Sequence, residues 1–290
     1  MTSGTGDSIA DPSDPRLDDY RFLRDRDLSG SRRAEGLLVG ETLPIIDIML
    51  RVPGLTRSVL TSPRLAARAA ATIAASASPA TPHFIAEEST LASLTGFHVH
   101  RGALAIGVRS AIERHHCQSD PFRTGSLLVA LDEVSNMDNV GSIFRSCAAF
   151  GVDGVLLSRN SHDPLYRKAI RVSMGHALTV PFAWCDDLAA SLRELRTARP
   201  ALRILAADAG SSAIPIDDVC AGTHPVALEP NPPPTLLVIG AEFAGVSAAV
   251  REEACEAVRI PIAAGVDSLN AGVAAGICLH RLSRIGGKSW

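Results

Sequence analysis

Val238-Ile239-Gly240-Ala241-Glu242-Phe243-Ala244-Gly245 joins an apolar run to a helical pattern through a turn holding two glycines and one carboxylate. The run begins at Leu236, just after the proline-rich stretch 230–234, which cannot be helix and delivers the chain into a strand. Behind the turn, 246–255 has helical periodicity. Outward from here the same unit repeats. The pattern predicts strands at 127–131, 154–157, 179–184, 203–207, 235–239 and 257–262, and helices at 139–150, 164–171, 188–199, 246–255 and 270–284. Apolar strands alternating with amphipathic helices imply an α/β fold whose parallel sheet is covered on both faces. A dinucleotide-binding domain should carry Gly-x-Gly-x-x-Gly after its first strand, and a phosphate loop should read Gly-x-x-x-x-Gly-Lys. Neither is present; the glycine-bearing turns follow Ile239 and Ile262, late in the chain.

Two further segments share this placement at a strand end or helix start. One is Asn139-Val140-Gly141-Ser142-Ile143-Phe144-Arg145; the other runs from Ile260-Pro261-Ile262 to Ser268-Leu269-Asn270. Asn139 is suited to cap the helix it opens, and Gly141 admits a close backbone. Arg145 can pair with Asp132, Glu133 or Asp138, or hold a ligand phosphate. Glu242 can face the dipole of the following helix. Asn270 can cap the last helix, with the Ser268 hydroxyl just before it.

Taken together and in this order, the three segments resemble the SpoU/TrmH-type RNA 2′-O-ribose methyltransferases of the SPOUT superfamily. The resemblance covers about residues 125–284. It implies a C-terminal parallel-sheet domain tied in a trefoil knot, S-adenosylmethionine as cofactor, and tRNA or rRNA as substrate. It implies catalytic roles for Asn139, Arg145, Glu242, Ser268 and Asn270. It also places Ile239, Gly240, Glu242, Ile260, Ile262, Leu269 and Asn270 around the donor. In the family the arginine matching Arg145 has been proposed to take the ribose proton. A guanidinium is always protonated, so holding phosphate and stabilising the developing alkoxide is the assignment preferred here. The family usually has Gly where this chain has Phe243, and often Asn at the position of Ala241. A bulky ring there would narrow the pocket or change which RNA fits. The alternative is therefore an RNA-binding protein that keeps the fold without turnover.

Residues 1–16 are rich in Ser, Gly, Thr, Asp and Pro and are expected to be disordered. Residues 17–109 alternate helix and strand. Within them, the stretch from Arg32-Arg33 to Gly40-Glu41, and the stretch 94–102, resemble the family's small α/β substrate-binding domain, akin to ribosomal proteins. Arg32, Arg33 and Arg101 are then candidate RNA contacts together with Arg145. The polar stretch 110–124 is the expected linker, and 125–290 the catalytic domain. Tandem His115-His116 beside Cys117 suggests no shared metal, because adjacent side chains diverge. Arg167, Lys168 and Arg171 precede Ser173-Met174-Gly175, where the family has a Ser-x-Gly turn; they suit phosphate or a solvated face.

A formal net charge of −3 excludes a basic nucleic-acid coat but permits a local patch. The six cysteines are scattered without a Cys-x-x-Cys pair, so no zinc or redox motif is expected and a reducing cytoplasm is. No apolar run is long enough to span a bilayer, and the chain opens on no signal peptide. The family dimerises through the catalytic domain, so a homodimer is expected.

Overall fold

The structure is a computed structural model and describes residues 6–23, 36–96, 102–117, 120–210, 212–220 and 233–283. The chain divides into two compact units. One comprises Met1–Gln118 with Leu165–Leu178, the other Ser119–Pro164 with Thr179–Trp290.

The first unit holds a five-stranded mixed sheet of β1 (Asp7–Ser8), β2 (Leu37–Glu41), β3 (Thr56–Thr61), β4 (His83–Ile85) and β5 (Ala103–Val108), in the order β1-β4-β3-β5-β2. Helices Leu43–Arg51, Pro63–Ala74, Glu88–Thr95 and Arg109–His116 belong to it. Residues 6–16, expected to be disordered, are instead ordered here. β1 pairs with β4, Ile9 enters the core beside Phe84 and Leu60, and Leu17 and Tyr20 follow it. The buried side chains of Ile9, Leu17, Tyr20 and Leu23 outweigh the polar composition around them, and the buried Tyr20 hydroxyl is satisfied by Ser58 Oγ at 2.8 Å. Ser62 stands at the N-cap position of the alanine-rich helix with Pro63 next, but makes no side-chain cap bond.

The stretch expected as a solvated linker also carries structure. Arg109–His116 is a helix that buries Ala111, Ile112 and His116, and Pro121–Thr124 forms one further turn capped by Asp120. Of the basic residues near position 170, Arg167 and Arg171 both pair with Glu41, whose side chain is 13% exposed. They form a structural ion cluster on the sheet edge rather than an open basic face.

The second unit is built on seven parallel strands: β6 (Leu127–Asp132), β7 (Gly154–Ser158), β8 (Phe182–Cys185), β9 (Arg203–Ala207), β10 (Ile214–Pro215), β11 (Thr235–Gly240) and β12 (Glu256–Arg259). Their order is β10-β12-β9-β11-β6-β7-β8. All described residues of β6 and β7 are buried, as strands covered on both faces must be. Leu128, Ala130, Ile204, Leu236 and Val238 share one core with Leu188 and Leu192 of the helix Leu188–Ala198 and Val250 of the helix Ala248–Glu253. The helix Ala271–Leu282 packs on β11 and on the helix Met137–Ala149. The two helices meet on small residues in matched steps of four. Gly272 lies against Ser142, Gly276 against Ser146, and His280 against Phe150 with ring centroids 5.6 Å apart. Parallel neighbours with small side chains bring their N-termini to the same end of the sheet.

The predicted strand at 257–262 ends at Arg259. Pro261 has no N–H for a ladder bond, and the chain from 260 to 270 leaves the sheet instead.

Burial pushes the His116 imidazole down to about 4 from its ordinary value, and the neighbouring His115 adds to this. Native His116 is thus neutral where the unfolded chain takes up a proton. Stability should fall as pH drops from about 6.5 to about 4, by up to about 3 kcal/mol. His116→Leu should flatten that acid limb in urea unfolding measured across this range. An unchanged slope would contradict the assignment.

Candidate active site

Three side chains from distant parts of the second unit close a small ring of hydrogen bonds. Asn270 is the N-cap of the helix Ala271–Leu282, and its Oδ1 accepts from the backbone N–H groups of Gly272 (3.0 Å) and Val273 (3.2 Å). That fixes which way its amide points, because only the oxygen can accept. Its Nδ2 then donates to Asn139 Oδ1 at 2.8 Å and to Glu242 Oε1 at 3.1 Å. With its oxygen committed, Asn139 donates through Nδ2 to the same Glu242 Oε1 at 2.6 Å. Glu242 receives two donors on one oxygen, a role that suits an ionised carboxylate.

Asn139 is 3% exposed and lies inside its helix rather than capping it. The cap is Asn136, whose side chain accepts from the Asp138 N–H at 2.8 Å. Starting the helix three residues earlier turns Asn139 inward, where the ring needs it.

Glu242 sits in a hairpin of its own. Ala241 and Gly245 exchange backbone hydrogen bonds of 3.1 and 2.9 Å, and Gly245 has φ +67°. A Cβ on Gly240 would stand 2.1 Å from the Gly245 carbonyl carbon and 2.3 Å from the Val246 nitrogen. Only glycine lets the hairpin fold back this tightly. Beside it, Asp132 at the end of β6 accepts from the Ser247 N–H at 2.7 Å and holds the start of the next helix.

The hairpin borders a cavity of about 550 Å³ at the carboxyl ends of β9, β11 and β12. This is where open parallel sheets bind ligands. Of the residues expected around a donor, Ile239, Gly240, Glu242, Ile260, Ile262 and Leu269 line it, as does Ser268. Asn270 reaches it through Glu242. Sequence reasoning passed over Asp208, Arg251 and Asp267, which also line it. Asp208 follows β9 directly, so the rule that sites lie past the carboxyl ends of strands was the available signal. Asp208 and Arg251 form an ion pair within the lining. Among the described residues the charged lining is thus three carboxylates against one guanidinium.

Arg145 lies apart from this ring. It is exposed on the helix that carries Asn139, six residues further on, or about 9 Å of helix rise, and does not line the cavity. Among the described residues it makes no ion pair, so the pairing with Asp132, Glu133 or Asp138 that its sequence allowed is not formed. Arg32, Arg33 and Arg101 lie outside the described residues. No described helix is long and apolar enough to cross a membrane, and no described group of three His, Cys, Asp or Glu residues is gathered as a metal site requires.

The sequence model of the SpoU rRNA Methylase family matches residues 126–280, more than half of the chain. The chain belongs to that family. An uncharacterized tRNA/rRNA methyltransferase of Mycobacterium bovis is 34% identical over 282 residues, covering 96% of this chain and 92% of that one. Among solved structures, the SpoU methyltransferase AviRb from Streptomyces viridochromogenes, in complex with the cofactor AdoMet, has a TM-score of 0.73 at 21% identity, covering 93% of this chain and 97% of that one. An RNA 2′-O ribose methyltransferase matches with a TM-score of 0.73 at 22% identity, covering 95% and 97%. At these identities the two structures speak for the α/β fold of this SpoU-family chain.

Gly240→Ala should force the hairpin open, lowering donor affinity at least about tenfold by calorimetry, since the clash is with backbone that has nowhere to retreat. Asn270→Ala removes a helix cap and strands the buried Asn139 oxygen. Stability in urea should drop by about 2 kcal/mol.

Proposed function

We propose that this chain methylates a ribose 2′-hydroxyl of tRNA or rRNA with S-adenosylmethionine as donor. The observation that carries the reading is the Asn139–Glu242–Asn270 ring standing at the rim of a cavity lined by the residues the family resemblance assigns to the donor. The cavity fits such a compound in size, falling within the ~300–1,000 Å³ usual for small-molecule sites. Its apolar walls at Ile239, Ile262 and Leu269 suit a flat purine. Its excess of carboxylates over the single Arg251 suits a cationic sulfonium.

When bound, S-adenosylmethionine supplies a methyl carbon already activated by its sulfonium charge. The protein's part is to hold the attacking oxygen in line and to stabilise charge that grows on it. The ring fixes the Glu242 carboxylate at the cavity mouth, so the substrate side is ordered before RNA arrives. Ser268 offers a hydroxyl to the ribose from the opposite loop. Arg145, exposed and without a carboxylate partner among the described residues, takes the adjacent phosphate and the developing alkoxide once RNA is bound.

The rival reading, a fold kept without turnover, rested on Phe243 blocking the pocket. Phe243 stands at the cavity's border but is 102% exposed, so its ring does not fill the pocket, which favours a working site. The wider assignment follows the resemblance. Residues 17–109 form a substrate-binding domain with RNA contacts at Arg32, Arg33 and Arg101, 110–124 joins it to the catalytic domain at 125–290, and the C-terminal segment is knotted. The chain is a homodimer, for which the exposed Val273 and Ile277, one turn apart on the last helix, provide an apolar face. The described thiols are free, which suits a reducing cytoplasm.

Arg145→Ala should keep donor affinity by calorimetry and lose at least about a hundredfold in methyl transfer to RNA taken from cells lacking the gene, with ribose methyls mapped in the product. Unchanged transfer removes Arg145 from the reaction; methyls found only on bases remove the ribose assignment.

A further inference from the structure

Phe243 has no partner among the described residues, although the residues around it are tightly held. It sits at the tip of the hairpin whose ends are locked by the Ala241–Gly245 bonds, directly after Glu242, and it borders the cavity. At 102% exposure its ring is the most exposed large hydrophobic side chain described. Glu242 is turned to Asn139 and Asn270, so the carboxylate and the ring serve different neighbours. The rest of the hairpin is Ala241, Ala244 and glycine, so it presents one planar apolar surface and no patch broad enough for protein docking. A single flat ring, held at the mouth of a site for RNA, matches one kind of occupant: the face of an unpaired nucleobase.

We propose that Phe243 is a stacking residue that receives a nucleobase of the RNA strand entering the cavity, either the target nucleotide's own or the one beside it. This rests on the reading of the chain as an RNA ribose methyltransferase. It adds a contact at the position where the family usually has glycine. Every base has a π-face, so the ring tightens and positions the strand without selecting its sequence. The hairpin contributes by being rigid. Gly240 packs against the backbone of Gly245 and Val246, so the ring is presented without the entropy cost of ordering a loose loop.

The test uses the full chain and a fluorescein-labelled single-stranded RNA of mixed sequence, together with the same strand made abasic. Binding is read by anisotropy, donor affinity by calorimetry and self-association by sedimentation. Phe243→Ala and Phe243→Leu should weaken binding of the intact strand about 5- to 100-fold, while Phe243→Trp retains it. On the abasic strand the difference between wild type and Phe243→Ala should vanish. Donor affinity and self-association should not change. Equal binding of the intact strand by wild type and Phe243→Ala overturns the proposal. So does a loss in Phe243→Ala that appears as weaker donor binding or altered self-association, which would place the ring against the donor or a second copy. Methyl transfer to RNA from cells lacking the gene separates the two levels. If wild type transfers nothing while Phe243 still governs RNA binding, the methyltransferase reading fails and the stacking contact stands. If transfer proceeds and Phe243→Ala matches wild type in both binding and KM, the stacking contact fails and the reading stands. If wild type binds no RNA, both fall.

Discussion

Two backbone N–H groups at the start of the last helix orient the whole site. They hold Asn270 Oδ1, which leaves its amide nitrogen for Asn139 and Glu242, which in turn leaves the Asn139 nitrogen for Glu242. Each group has one arrangement open to it once the previous one is set. The partners lie 131, 103 and 28 residues apart in sequence, so loops of great length are closed by a few polar contacts. Those contacts are too weak to close them unaided. The buried parallel sheet and its helices carry that cost, and the ring then selects one geometry at its edge.

Small residues make that geometry reachable. Gly272 and Gly276 let the last helix settle against Ser142 and Ser146, which brings Asn270 beside Asn139. Gly240 lets the hairpin double back until Glu242 reaches both. Glycine is used here for what a side chain would obstruct, at points where two backbones or two helices must nearly touch. The same closeness leaves the tip residue, Phe243, standing clear of the protein.

Much of the architecture was legible before the fold was seen. β9 occurs where its apolar run placed it, and β6, β7 and β11 extend one residue further, because strands covered on both faces leave an unbroken hydrophobic record. Asn270 was recognisable as a cap from its place before a helical pattern. Asn139 was misread as one, since Asn136 and Asn139 are chemically equal candidates and only the helix start distinguishes them. Residues 6–16 looked disordered because composition alone hides that Ile9, Leu17 and Tyr20 share a single core. The stretch near His116 looked solvated for a similar reason. Its polar side chains dominate the pattern, while burial falls on Ala111, Ile112 and one imidazole.

The sequence by itself determined that this is an α/β chain with parallel strands, that its glycine-bearing turns come late, and that Asn139, Glu242 and Asn270 are groups worth bringing together. Local periodicity and turn chemistry suffice for the strands and turns, because each depends on a few neighbouring residues, while the grouping of those three residues is what the family resemblance implied. The tertiary structure alone decided that the three form one hydrogen-bonded ring, that Asp208, Arg251 and Asp267 share the cavity with them, that Arg145 stands outside it, and that the Phe243 ring points into solvent. Those facts depend on which strands lie side by side and how closely two helices approach, and such distances are set by packing across the whole sheet.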